Sequence, residues 1–340
     1  MHIPDGYLSP QTDALLGIVS AITAAVAASK TASTVRAKYI PMLAVGAAFS
    51  FTLMMFNVPI PDGTTAHAVG GSLLAVILGP WAAMISVSIA LIIQALFFGD
   101  GGILALGANI FNMAVVMPFV SYGIYLLIAG KSDMLSKRRM IGAGIAGYIG
   151  INAAALCAGI EFGIQPLLFH TVNGMPLYSP YGLGVAVPAM LFAHLTVAGP
   201  VECVVTGLVI SYLQRTNPAM LQMQSDSGKP TSPIHYGRYI AGFIVVAFLT
   251  PLGLLAAGSA FGEGSAEDLQ AKLGFVPSGL EKLGSFWQHI LFKDYGITGF
   301  DQTFWQQALG YIISAFFAFL VIGITGFAFQ RYALKSEKHT

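Results

Sequence analysis

The first two residues of the chain, Met1 and His2, could together form a chelating group for a metal ion. The terminal amine, the backbone nitrogen of His2 and the Nδ1 atom of its ring would close a five-membered and a six-membered chelate ring. Fused rings of this kind hold a metal in a plane. A backbone amide loses its proton only to a metal ion that is strongly stabilised by a planar set of donors, which favours Ni(II) or Cu(II). The alternative is that His2 is an incidental exposed histidine near a terminus.

His67 is the best candidate for a fourth nitrogen donor. It lies in the segment PIPDGTTAHAVGG, in which Asp62 and Gly63 predict a turn. Imidazole is a suitable ligand for nickel, cobalt, copper and zinc. The alternative is a histidine at the membrane rim that hydrogen-bonds to a neighbouring span.

Four further polar residues could lie beside these ligands and orient them: Asp5, Asp62, His194 and Glu202. Because His194 and Glu202 are eight residues apart in one apolar segment, they face roughly the same side of a helix. They could support the ligands or line a cation path. The alternative is a buried polar pair that holds helices together.

The composition indicates which kind of fold positions these groups. Of the 340 residues, 56% are hydrophobic and only 9% are charged, and the mean hydropathy is +0.74. An ordinary globular domain has about 25% charged residues, so a soluble cytosolic enzyme, a disordered protein and a disulfide scaffold are excluded. A net charge of +1 also argues against a nucleic-acid partner. We therefore predict an all-α polytopic membrane protein in contact with the lipid bilayer.

Nine apolar spans are predicted from hydropathy, and the third of them is short, so it is expected to be tilted, broken or only partly inserted. They cover about residues 13–29, 40–57, 66–80, 82–98, 108–130, 140–160, 185–213, 239–258 and 305–329. No Lys or Arg precedes the first span, whereas Lys30, Arg36 and Lys38 follow it. This asymmetry predicts that the N-terminus lies outside and the C-terminus inside. The opening residues lack the basic region of a signal peptide, so we expect Met1 to remain in place.

The polar stretch 214–238 divides the predicted spans into two modules. We predict that it is a cytoplasmic linker between a seven-span module, residues 1–213, and a two-span module, residues 239–340. The second module has a large extracytoplasmic loop, about residues 259–304. No nucleotide-binding or hydrolase motif is present in the sequence, so we do not expect an enzyme.

Small residues in the first span predict a close helix contact. Small residues four positions apart lie on one face of the helix, and they include Ala21, Ala24, Ala25 and Ala28. Such a face lets another helix approach closely. The partner is either another subunit or a helix of the same chain.

Three strings of the sequence resemble one family. MHIPDGYLSP, DGTTAHAVGGSLLA and AHLTVAGPVECVVTG resemble the CbiM/NikM family, the substrate-capture component of energy-coupling-factor importers for nickel and cobalt. The resemblance covers about residues 1–213. The second module resembles the small accessory component of the NikN or PDGLE type, although Ser278 stands at the Asp position of that motif.

The resemblance implies a function and a set of ligands. The family's metal would be bound by the Met1 amine, the His2 backbone and ring nitrogens, and His67. Ni(II), or Co(II), would be the transported substrate, with no permanently bound cofactor. The partners would be a transmembrane coupling subunit and two cytoplasmic ATPase subunits. The location would be the inner or cell membrane of a bacterium or archaeon.

Three alternatives remain open at the level of sequence. A cobalt importer of the same family differs only in its metal. A passive cation channel usually has rings of carboxylates along its spans, whereas Glu202 is nearly alone here. An intramembrane metalloenzyme could use His67, His194 and Glu202, but it would need a general base close to the metal.

Overall fold

Long apolar helices dominate the structure. The computed structural model describes residues 1–34, 40–60, 63–222, 236–256 and 258–336. Within these ranges, six helices are long and apolar enough to cross a bilayer, and Ile40–Met54 and Ala241–Leu255 are shorter apolar helices. A chain buried in lipid must satisfy its backbone internally, which favours helices. The prediction of an all-α polytopic membrane protein is confirmed.

We number the helices along the chain, and α4, α5 and α7 each include a π-helical stretch. They are α1 (Pro10–Thr34), α2 (Ile40–Met54), α3 (Gly71–Leu78), α4 (Pro80–Phe98), α5 (Leu106–Ala129), α6 (Lys137–Leu168), α7 (Leu183–Thr216), α8 (Tyr236–Leu249), α9 (Ala266–Leu273), α10 (Ser278–Leu283) and α11 (Phe304–Ser336). Short 3₁₀ stretches cover Pro218–Gln222, Thr250–Leu255 and Lys293–Tyr295. Strands β1 (Val58–Ile60) and β2 (Thr64–Ala66) form an antiparallel hairpin.

The third predicted span, 66–80, is not a membrane-length helix. Only Gly71–Leu78 is helical there, a length of about 12 Å against the roughly 30 Å of a bilayer core. The helix is bounded by Gly70 and Gly79, whose φ angles of 77° and 88° place them in conformations that suit glycine. The preceding residues turn back as the hairpin and a short loop. This broken segment carries His67 into the bundle.

The predicted division into two modules stays a prediction, but the structure shows where their helices meet. Helix α7 continues beyond the predicted boundary at 213 and ends at Thr216. Helices α8 and α11 of the second module both pack against α2. The bundle is therefore continuous across the predicted boundary.

The first nine residues pass into the protein interior. Ile3 and Leu8 are completely buried, and Met1 is only 2% exposed. Chain termini usually lie on the surface and are poorly ordered unless contacts hold them. The π-helical stretches Gln94–Phe98, Ile110–Val116 and His194–Ala198 belong to the helices around this segment. Such stretches occur often at functional sites.

Candidate metal centre

A clamp from α5 holds the N-terminal segment. The Ile3 backbone N–H donates to Asn109 Oδ1 at 2.8 Å, and Asn109 Nδ2 donates to the Ile3 carbonyl at 3.1 Å. The backbone N–H of Gly102 also donates to the Ile3 carbonyl, at 2.9 Å. Both backbone groups of Ile3 are therefore hydrogen-bonded, as they would be in a β-sheet, and these bonds fix Met1 and His2 within the bundle.

The three predicted ligands Met1, His2 and His67 lie together. The Met1 nitrogen is 3.5 Å from His67 Nε2, and the His2 and His67 rings stack with their centroids 4.9 Å apart. Both histidines are 3% exposed. The structure thus gathers an amine and two imidazoles in one buried place, although 66 positions separate Met1 from His67 along the chain.

The ring of His67 is oriented as a ligand would be. Its Nδ1 lies 3.1 Å from the Ala68 carbonyl, so Nδ1 carries the proton and donates it, which leaves the Nε2 lone pair toward the Met1 amine. Burial lowers the pKa of the His67 imidazole, and the charge of the N-terminal ammonium lowers it further. The ring is therefore neutral at pH 7, which is the form that binds a metal.

Glu202 supports the loop that carries His67. Its Oε2 accepts the backbone N–H groups of Val69 and Gly70 at 2.9 and 3.0 Å. A carboxylate is favourable here because these groups lead into the N-terminus of α3. Glu202 is wholly buried, and its second oxygen, Oε1, has no hydrogen-bond partner among the residues described.

His194 lies on the π-helical stretch of α7, against which the hairpin packs. Its Nδ1 is 2.7 Å from the Met190 carbonyl, so Nδ1 donates there. Its Nε2 is buried and has no hydrogen-bond partner among the residues that the structure describes. In that part of the chain no hydrogen bond or ring stacking joins this ring to the three ligands, although it lies within electrostatic range of the Met1 ammonium.

Of the two aspartates predicted to lie beside the ligands, Asp5 and Asp62, only Asp5 is among the described residues. Asp5 Oδ1 accepts the backbone N–H groups of Leu104 at 2.8 Å and Ala105 at 3.4 Å, so it anchors the loop before α5. Burial raises the pKa of Asp5, and these backbone bonds oppose the rise. Asp62 lies outside the described residues.

Asp100 is a neighbour of the site that the sequence did not single out. Its Oδ1 is 3.0 Å from His2 Nδ1, and its Oδ2 accepts from the Tyr295 hydroxyl. Burial alone would raise the pKa of Asp100, but the charge and hydrogen bond of His2, with the Tyr295 hydroxyl, hold it well below its ordinary value. The carboxylate is therefore ionised at pH 7. Its place in a glycine-rich turn, GDGG, directly after a predicted span is a signal that could have pointed to it.

Glu263 is a second neighbour, contributed by the predicted large loop at about residues 259–304. Its Oε1 accepts from the Met1 ammonium at 3.0 Å. No sequence motif around Glu263 pointed to this contact. Its position depends on packing between the modules.

The alanines predicted to form a subunit contact lie on α1, which is little covered. Only 17% of the apolar window of this helix is buried. Ala21, Ala25 and Ala28 are exposed and Ala24 is partly exposed. This face is therefore open to lipid or to another subunit.

Comparison with known proteins gives consistent matches. The family model CbiM, described as cobalt uptake substrate-specific transmembrane region, matches residues 2–220. The fused nickel transport protein NikMN of Rhodobacter capsulatus is 46% identical, covering 95% of this chain and 96% of its own length. The probable fused nickel transport protein LarMN of Lactiplantibacillus plantarum is 47% identical, covering 94% and 95%. A crystal structure of a truncated transition metal transporter is 62% identical, with a TM-score of 0.59, covering 63% of this chain and 98% of that one.

Proposed function

The chain belongs to the CbiM family of cobalt uptake transmembrane regions, and from this premise we propose that it is the metal-capturing membrane subunit of a nickel importer. The proposal places Ni(II) on the extracytoplasmic side, bound by the Met1 amine, the His2 amide and ring nitrogens, and His67 Nε2. Nickel is the cargo of the protein and not a resident cofactor. Relatives that match nearly the whole chain are named as nickel transport proteins.

One observation carries this proposal: a free amine lies beside two imidazoles in a buried place. The Met1 nitrogen and His67 Nε2 are 3.5 Å apart, and the His2 ring stacks on the His67 ring. Two ligands bound to one metal at about 2 Å each lie roughly 2.8–4 Å apart, so a small adjustment would bring both nitrogens to one ion. The His2 amide between them completes a set of four nitrogens.

The donor set supports nickel over cobalt. Four nitrogens with an ionised amide favour a square-planar ion, and planar nitrogen coordination is characteristic of Ni(II) and Cu(II). Cobalt is the second candidate, because the matching family is described as a cobalt uptake region. Direct competition between the two ions would decide between them.

Transport would require energy from other subunits. The chain has no nucleotide-binding motif. We propose a transmembrane coupling subunit and two cytoplasmic ATPase subunits, with the open face of α1 around Ala25 and Ala28 as the contact surface. Small residues on this face allow the close helix packing that such a contact needs.

The test is to block the Met1 amine reversibly. The full chain is produced with a short N-terminal extension that a protease removes without leaving an extra residue. Before cleavage the Met1 nitrogen is an amide, and we expect no planar Ni(II) complex. After cleavage we expect tight binding in calorimetry, with the visible absorption and diamagnetism of planar Ni(II). Equal planar binding before and after cleavage would refute the proposed site.

A further inference from the structure

Two acidic side chains are buried where α1 begins and α6 ends. Asp13 lies in the first turn of α1, and Glu161 lies about two turns before the end of α6. Each is only 7% exposed. In the predicted topology both positions are near the extracytoplasmic side. An ionisable side chain in a membrane-spanning helix is costly, so it usually has a function and a partner for its charge. Neither residue is among the ligands that we propose for nickel.

Gln165 joins the two helix ends. Its Oε1 accepts the backbone N–H of Ser9 at 3.0 Å, and its Nε2 donates to Thr12 Oγ1 at 3.2 Å and to the Glu161 carbonyl at 2.9 Å. Thr12 directly precedes Asp13, and Glu161 lies about one helical turn before Gln165. The two carboxyl groups are therefore on adjoining helix ends, and Asp13 lies within electrostatic range of Glu161.

Asn112 joins these two residues in a cluster that spans three helices. It lies on the π-helical stretch of α5, which packs against both α1 and α6. Its side chain is completely buried, and its Nδ2 donates to Glu161 Oε2 at 2.7 Å. Stretches of π-helix are frequent at functional sites. We call Asp13, Asn112 and Glu161 the oxygen cluster.

The oxygen cluster contains several buried oxygen atoms that accept no hydrogen bond from any residue that the structure describes. They are Asp13 Oδ1 and Oδ2, Asn112 Oδ1 and Glu161 Oε1. When the carboxyl groups are ionised, each of these atoms can only accept a hydrogen bond or bind a cation. Most buried polar atoms in proteins have a partner, and an atom that lacks one is costly. The cluster is therefore complementary to a positively charged ligand.

The charge of the oxygen cluster favours a divalent cation. The ion pairs of the described residues involve neither Asp13 nor Glu161. The first turn of a helix stabilises a carboxylate, so the position of Asp13 on α1 favours its ionised form. Two ionised carboxylates carry two negative charges, which a divalent ion neutralises and a sodium ion does not.

We propose that the oxygen cluster binds one hard divalent cation, with calcium as the preferred ion, at a site separate from the nickel site. Carboxylate and carbonyl oxygens suit calcium, magnesium and manganese, whereas imidazole nitrogens suit nickel. Calcium accepts about six to eight oxygens in a flexible geometry, and magnesium requires a nearly ideal octahedron. Calcium therefore suits donors that come from three different helices, and water would complete the set.

A cation at this site would fasten α1 to the rest of the bundle. Only 17% of the apolar window of α1 is buried, so few contacts within the chain hold this helix. A metal bound by Asp13, Asn112 and Glu161 would cross-link α1, α5 and α6 near their predicted outer ends. Because such an ion binds only the folded state, it should raise the unfolding temperature. The inference does not rest on the proposed function, since the two sites share no ligand.

The test measures calcium binding to the full-length protein, purified in detergent and stripped of metal with a chelator. Equilibrium dialysis against radioactive calcium should show one ion per chain, with a Kd of about 0.1–1 mM, the range of extracellular calcium-binding modules. Asp13→Asn and Glu161→Gln keep the side-chain size and remove one charge each. Loss of a group that only orients a ligand weakens metal binding by roughly 10- to 100-fold, so each variant should bind calcium at least about tenfold more weakly. Glu267→Gln changes an exposed glutamate of α9 and is the matched control, which should bind calcium as the wild type does.

Absence of calcium binding by the wild type, or an unchanged Kd in either variant, would overturn the inference. If the variants do not fold, the wild type decides alone: calcium should raise its unfolding temperature more than the same concentration of magnesium, and an equal rise, or none, would overturn the inference. Nickel should leave the bound calcium in place, and release of one calcium ion per nickel ion would also overturn it. A protein that binds calcium but forms no planar Ni(II) complex would support this inference and refute only the proposed function.

Discussion

Replacing Gly102 with alanine tests whether the N-terminal segment must reach its buried position to bind metal. An added Cβ at Gly102 would lie 2.0 Å from Asp5 Oδ1 and 2.4 Å from the Asp5 backbone nitrogen. Ordinary van der Waals contacts begin at 3.4 Å, so the Asp5 carboxylate would have to move by about 1.4 Å and its backbone by about 1 Å. The φ angle of Gly102 is not in the left-handed range, so the effect is steric and not a strain of the backbone.

The displaced backbone adjoins the clamp on Ile3. Gly102 itself donates to the Ile3 carbonyl at 2.9 Å, so the clash falls within the structure that positions Met1 and His2. A metal site needs its ligands held within about 0.5 Å. Overpacking of this kind costs about 1–3 kcal/mol. Because each 1.4 kcal/mol is about tenfold in Kd, we expect Ni(II) to bind about 5- to 150-fold more weakly.

Calorimetric titration of purified protein measures this change, and circular dichroism and size-exclusion elution check that the variant is folded. Gly184→Ala is the matched control, because an added Cβ there meets nothing within 4 Å. We expect its Kd to equal that of the wild type. A folded Gly102→Ala protein with the wild-type Kd would refute the reasoning that the segment positions the chelate.

Three further predictions use the same protein. Mutation of a residue that hydrogen-bonds to a metal ligand typically weakens metal binding by roughly 10- to 100-fold, so His67→Ala, which removes a ligand itself, should weaken Ni(II) binding by more than that. An unchanged calorimetric affinity would reject His67 as a ligand. Asn109→Asp keeps the side-chain size but loses the donor to the Ile3 carbonyl, so a titration should show about tenfold weaker binding, with no change counting against the clamp. Leucine at Ala24 or Ala28 should disrupt assembly with the coupling subunit on native gels while nickel affinity stays constant, and an intact complex would exclude that contact.

The positions of the long helices could be predicted from the sequence because lipid leaves the backbone few alternatives. The predicted span 82–98 corresponds to Pro80–Phe98, and 305–329 lies within Phe304–Ser336. For the short span 66–80, hydropathy left a tilted, a broken and a partly inserted segment open, because it sums side chains and carries no information on φ. Gly70 and Gly79 interrupt an apolar run in which no charged residue indicates that the helix is broken.

The ligands that we propose come from the sequence, whereas the side chains around them could not be predicted from it. Adjacent atoms of Met1 and His2 define the chelate rings without knowledge of the fold, so local chemistry was sufficient to suggest them. Asp5 anchors a loop, whereas Asp100 and Glu263 contact the nitrogens of His2 and Met1 that we propose as ligands. Glu263 is 262 positions from Met1, and proximity across such a separation depends on how helices pack.

The backbone packing of two glycines joins the N-terminal segment to the second module. Gly6 has a φ of 84°, and an added Cβ there would lie 2.7 Å from Leu280 Cα and 3.0 Å from the Gly279 carbonyl oxygen. Gly279 in turn donates its backbone N–H to the Leu177 carbonyl at 2.7 Å, and a Cβ on it would lie 2.3 Å from the Tyr178 ring. The opening string MHIPDG and the PSGLE string of the accessory module therefore meet backbone to backbone, at distances that no larger residue permits. A shift of α10 would press on Gly6 and, through the short segment before it, on the Met1 and His2 nitrogens that we propose as ligands. The predicted second module thus packs directly against the N-terminal segment, and this contact is a physical route by which its movement would reach the proposed site.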